Sequence, residues 1–61
     1  MTFFEAIKEK NKMLEFYPDA VHLEVIDWNN KRKSIVLKDR QQVTNFRLMN
    51  KGWDVEINEI R

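Results

Sequence analysis

Apolar and polar residues alternate along two short runs near the middle of the chain. Between Val21 and Trp28, Val21, Leu23 and Val25 fall on one side of an extended backbone, and His22, Glu24, Ile26 and Trp28 on the other. Between Ser34 and Lys38, Ile35 and Leu37 share one side, and Val36 takes the other. β-branched and aromatic residues at a period of two predict strands, and the polar, basic tip between them predicts a hairpin. Side-chain period makes register decisive, because a slip of one residue exchanges the faces. Pairing Val25 with Ile35 and Leu23 with Leu37 gathers Val21, Leu23, Val25, Ile35 and Leu37 on one face. That register sets Asp27 opposite Lys33 and predicts an odd loop of three or five residues centred on Asn30. Asn tolerates the positive φ such loops need. A two-residue Asn29-Asn30 turn would pair Val25 with Ser34 and mix the faces, so it ranks lower.

Outside the hairpin the period changes. Thr2-Phe3-Phe4-Glu5 is a capping-box pattern, in which a hydroxyl and a carboxylate each satisfy a free backbone N–H. Phe3, Ala6, Ile7, Met13, Leu14 and Tyr17 then recur at helical spacing, with Pro18 as the stop. Lys10 projects within this apolar arc, its stem expected along the core edge and its ammonium in water. Phe4 and Phe16 lie off the arc. A second helix is predicted from Arg40 to about Lys51, with Asp39 as N-cap and Gly52, the only glycine, at C′. Val43, Phe46 and Met49 form its narrow apolar stripe. Trp53, Val55 and Ile57 then alternate with Asp54, Glu56 and Asn58 as a half-buried strand, and Ile60 falls on the polar phase.

The expected fold is α+β, a single domain over residues 1–61 in the order α-β-β-α-β. The second helix acts as a crossover, so the third strand runs parallel to the second. Placed beside the first, it makes a wholly antiparallel sheet in the order 2-1-3, which is the favoured topology; placed beside the second, it makes a parallel pair in the order 1-2-3. Both helices are expected on the face bearing Val21, Leu23, Val25, Ile35, Leu37, Trp53, Val55 and Ile57, giving a two-layer sandwich. The other face, with His22, Glu24, Ile26, Trp28, Val36 and Lys38, would then be open to water or a partner.

Composition narrows the function classes. With 61 residues the chain is close to the lower size limit for folding without staples. It has no cysteine, which excludes disulfides and thiolate metal sites and fits a cytoplasmic setting. No run reaches membrane-span length, and no signal peptide is evident. The short, Lys-, Asn- and Ile-leaning composition is common in small accessory proteins of phages and mobile elements. Net charge is +1 but uneven: −3 over residues 1–30, +6 over 31–51 and −2 over 52–61. Such asymmetry suits an acidic or nucleic-acid partner, though a plain solvated surface accounts for it as well.

Catalytic constellations are nearly missing. His22 is the only histidine and Ser34 the only serine, with no glycine elbow beside it. The preferred register sets Ser34 against Ile26, too far from His22 for a dyad, so His22 reads as a sheet-surface residue. Glu24, Glu56 and His22 could share the open face, but no ligand spacing demands a metal. No cofactor is expected, and the chain reads as a non-enzyme.

The leading expectation is therefore a small interaction or regulatory protein, such as an inhibitor, that binds another protein or a second copy of itself. Ile26, Trp28 and Val36 on the open sheet face would form one site, and Arg47 with Leu48 a second. The alternative is a DNA- or RNA-binding regulator using Lys31, Arg32 and Lys33 at the hairpin tip with Arg40, Arg47 and Lys51 on the second helix.

Overall fold

A computed structural model describes residues 1–60. The elements run α1 (Phe3–Met13), β1 (Val21–Ile26), β2 (Arg32–Leu37), α2 (Arg40–Met49) and β3 (Glu56–Ile60). The α+β class and the α-β-β-α-β order are as the periodicities predict. The three strands form one sheet in the order β2-β1-β3, with both pairings antiparallel. That is the favoured centre-filling topology: β1 lies between two strands that run parallel to each other.

Local chemistry explains where the elements begin. Thr2 caps α1: its hydroxyl accepts from the Glu5 N–H, and its own N–H donates to the Glu5 carboxylate, both at 3.2 Å. These bonds hold the Glu5 carboxyl below the usual carboxylate range. Asp39 caps α2, its carboxylate accepting from the Gln42 N–H at 2.9 Å. The helix ends differ from expectation. α1 stops at Met13, and Leu14–Phe16 continue as turns in which the Met13 carbonyl accepts from Phe16 and Tyr17. The approach to Pro18 forbids helical geometry at Tyr17, and the preceding turn tightens ahead of it. α2 ends at Met49, and Gly52 takes its positive φ of 90° in the turn that follows.

The hairpin keeps the predicted faces in a register shifted by two residues. Leu23 pairs with Ile35, Val21 with Leu37 and Val25 with Lys33. Asp27 is opposite Lys31, not Lys33. The cause is Asp27 itself. Its carboxylate accepts from the Asn29 N–H at 2.8 Å and the Lys31 N–H at 3.0 Å, closing a three-residue loop of Trp28, Asn29 and Asn30. Such a side-chain turn competes well with any looser loop. Asn30 is the residue at positive φ, 62°, although the loop centres on Asn29.

Placement of the helices corrects the two-layer expectation. α2 lies on the predicted face: Val43 joins Val21 and Leu23 in the core, with Ile35, Leu37, Phe46 and Ile57 packed against it. α1 lies on the other face. The Phe3 ring stands 5.1 Å from the His22 ring, and Phe3, Ile7 and Leu14 surround His22 and Ile60. The sheet is thus sandwiched between helices. The reason lies in residue size: Ala6 and Ser34 are nearly fully buried and let α1 approach the sheet closely. Apolar periodicity placed both helices on the richer face, yet β1 is buried on both of its sides.

The last strand is also displaced. Trp53 and Val55 precede β3, and Trp53 is exposed rather than inward. The polypeptide turns at Lys51–Asp54 before β3 can pair with β1, starting where Glu56 meets Ile26. Ile60 belongs to the strand, opposite His22 on the α1 side, and its polar-phase position is explained by the second helix layer.

Candidate functional site

Exposed large apolar side chains fall in two groups: Met1, Phe3, Phe4, Ile7, Leu14, Phe16 and Tyr17 along the N-terminal segment, and a second group of four at the hairpin end. The hairpin tip, the C-terminal half of α2 and the turn before β3 converge there. Trp28, Leu48, Met49 and Trp53 in these segments are between 63% and 78% exposed, far more than a core would leave them. Val25, Ile35, Phe46 and Val55 form the floor of a groove of about 410 Å³ beside α2. Lys31, Arg32 and Lys33 rim it on the β2 side, and Asp27 and Asn50 complete it. The groove exists because α2 covers only part of its face: Ile35, Phe46 and Val55 are left half-buried.

Charge around this end is polarised. Lys31 and Lys33 form no ion pair with any described residue, whereas Arg32 reaches Glu24 at 3.4 Å on the opposite face. Asp27 is held by the loop N–H groups and faces inward to the turn. Across Val55, Trp28 sits in a shallow hollow with Asp27, Asp54 and Glu56. The groove is therefore basic toward β2 and acidic toward β3.

The expected site residues separate. Ile26 and Val36 are half-buried on the sheet face that carries α1, so that face is not open as expected. Trp28 projects from the loop, not from the strand. Leu48 and Arg47 are exposed on α2, Leu48 two positions from the inward Phe46 and so directed away from the sheet. Of the basic residues, Lys31, Arg32 and Lys33 stay together at the tip. Arg40 lies at the far end of α2, where its guanidinium clamps the Glu59 carboxylate through two bonds of 2.7 and 2.8 Å. That pairing pushes the Arg40 guanidinium up from its ordinary range. Arg47 and Lys51 are exposed, about a helix length from Arg40 in the case of Lys51. The expected basic set on α2 thus loses Arg40 to an internal ion pair.

His22 departs most from expectation. It is 1% exposed, between α1 and the sheet, and its Nε2 has no hydrogen-bond partner. Burial pushes the imidazole below its ordinary range, the Lys10 cation acts the same way, and Glu24 opposes them. Ser34 pairs across the strands with Glu24, not Ile26, and offers nothing to the unpartnered His22 Nε2. The ring packs against Phe3, and its Nε2 is left without a hydrogen bond. No cluster of three or more metal-ligating side chains occurs among the described residues, and Glu56 pairs with Ile26 while Glu24 pairs with Asn58.

No protein-family model, curated protein or solved structure matches the chain. Among the described residues no helix is long and apolar enough to cross a membrane. Sequence reasoning missed Val55 and Asn50 as groove residues, and Trp53 and Met49 as surface residues. The glycine at position 52 was the available signal for Trp53, since a turn there delays the strand.

Proposed function

We propose that the protein is a small non-enzymatic regulator that acts by binding another protein through its hairpin end. The observation that carries this reading is the apolar groove of Val25, Ile35, Phe46 and Val55 left open at the hairpin end, with Trp28, Leu48, Met49 and Trp53 exposed in the chain segments that meet there. Tryptophan and methionine are enriched at protein interfaces, and a protein of this size gains nothing in stability from leaving four such side chains in water. Lack of cysteine suits a reducing, cytoplasmic setting. The DNA- or RNA-binding alternative is supported less well, because Arg40 and Arg32 are engaged by carboxylates and the tip is flanked by Asp54 and Glu56.

Site-specific photo-crosslinking in the cell of origin tests the reading. Benzoylphenylalanine at position 28 or 53 should yield one defined protein adduct, with another protein or a second copy. The same probe at position 15, in the turn that follows α1, should not. Adducts to nucleic acid, no adduct at all, or the same adduct from all three positions would contradict it.

A further inference from the structure

We infer that the groove beside α2 receives an acidic segment of a partner protein, anchored by one large apolar side chain. The inference rests on the interaction reading above and names the partner's chemistry. Three features of the groove point the same way. Its floor is Val25, Ile35, Phe46 and Val55, all aliphatic or aromatic carbon, which a partner's apolar side chain would cover. At about 410 Å³ it lies low in the usual range of roughly 300–1,000 Å³ for ligand pockets, enough for one or two side chains. Lys31 and Lys33 stand on its β2 rim without an ion pair among the described residues, so their charge is available to a ligand.

The one acid on the rim does not cancel this. Both loop N–H bonds to Asp27 go to the same carboxylate oxygen and fix the group in the turn. The acidic hollow formed by Asp54 and Glu56 lies beyond Val55, on the β3 side. Polarity therefore sets orientation as well as charge: the partner's carboxylates meet β2, and its apolar anchor lies between β2 and α2. A flat nucleic-acid backbone would meet the lysines but leave the carbon floor empty and bring phosphates toward Asp54 and Glu56. An acidic peptide with a single anchor meets the basic rim and covers the carbon floor, with its charge kept to the β2 side.

The test uses the full chain labelled with ¹⁵N and methyl ¹³C. The probe is a short peptide with one Trp and a run of Glu on one side of it only. Control peptides replace the Trp by Ala or the Glu residues by Lys. The first peptide should shift the resonances of Val25, Ile35 and Phe46, and each control should bind at least about tenfold more weakly. A Lys31→Glu/Lys33→Glu variant, changed only at exposed side chains, should lose about tenfold or more in affinity and most of the salt dependence. Absence of groove shifts at millimolar peptide would overturn the inference, as would equal binding by the charge-reversed variant. Should that happen while positions 28 and 53 still crosslink to one protein, the groove assignment fails and the interaction reading stands. Loss of the crosslinks removes the reading itself.

Discussion

The two faces of the sheet solve the same problem with opposite materials. On the α1 side the fully buried contacts are polar or small, His22, Ser34 and Ala6, with Phe3, Ile7, Leu14 and Ile60 around them. On the α2 side they are large and apolar, yet Ile35, Leu37, Phe46 and Ile57 remain partly exposed. Around these small residues the α1 contact is closest, although Phe3, Ile7 and Leu14 at its edge stay partly exposed. Helix approach explains this: small side chains permit close packing, whereas α2 presents mainly Val43 and Phe46 and leaves the hairpin end of its face uncovered. Burial thus follows the fit of the covering layer and not only the hydrophobicity of the strand.

Substitutions at the two faces sharpen the contrast. The largest effect belongs to Leu23→Ala. Leu23 is fully buried beneath α2, and its loss should cost about 2–5 kcal/mol, read as a lowered urea midpoint or outright unfolding. A cost under 1 kcal/mol would mean that the α2 side has no organised core. Next comes enlargement. Ala6→Leu, at the close α1 contact, should destabilise by about 1–3 kcal/mol. Val55→Leu, in the groove, should change stability by no more than about 0.5 kcal/mol. Equal costs at the two positions would erase the distinction between the close contact and the open groove.

Asn30→Ala addresses the loop that sets the register of both faces. With φ at 62°, an alanine there should cost about 1 kcal/mol, and Asn30→Gly close to nothing. Equal stability of the two variants would contradict the left-handed geometry.

The smallest effect at neutral pH, and a growing one in acid, comes from His22. Its folded-state pKa lies below the unfolded value, because the neutral ring is buried near Lys10. Below about pH 6.5 the unfolded chain therefore binds the proton more readily, and stability falls as pH falls; above that value His22 contributes no slope. Replacing His22 by Leu should flatten the urea midpoint between about pH 7 and 5. An unchanged slope in that variant would remove His22 from the account.

Much of this architecture was legible in the residues, and the exceptions have physical causes. The Thr2–Glu5 box, the Asp39 cap and the faces of the hairpin follow from local patterns whose spacing admits few alternatives, whereas the β2-β1-β3 order was one of two that the crossover leaves open. The register was off by two because the reach of the Asp27 side chain, not the apolar pattern, closes the loop. α1 was assigned to the wrong face because a histidine and a serine do not look like core residues, although beside Ala6 and Phe3 they pack as one. The candidate site was the least legible part. Trp28 could be picked out, but the groove joins residues from four separate segments, and no periodicity within one segment reveals it.

One spectrum tests the sandwich directly. A nuclear Overhauser experiment on the methyl- and ring-labelled protein should show contacts from the His22 ring to Phe3 and from the Leu23 methyls to Val43, with no contact from Phe3 to Leu23. Phe3 and Val43 both reporting on Leu23 would place the two helices on one face and contradict the account.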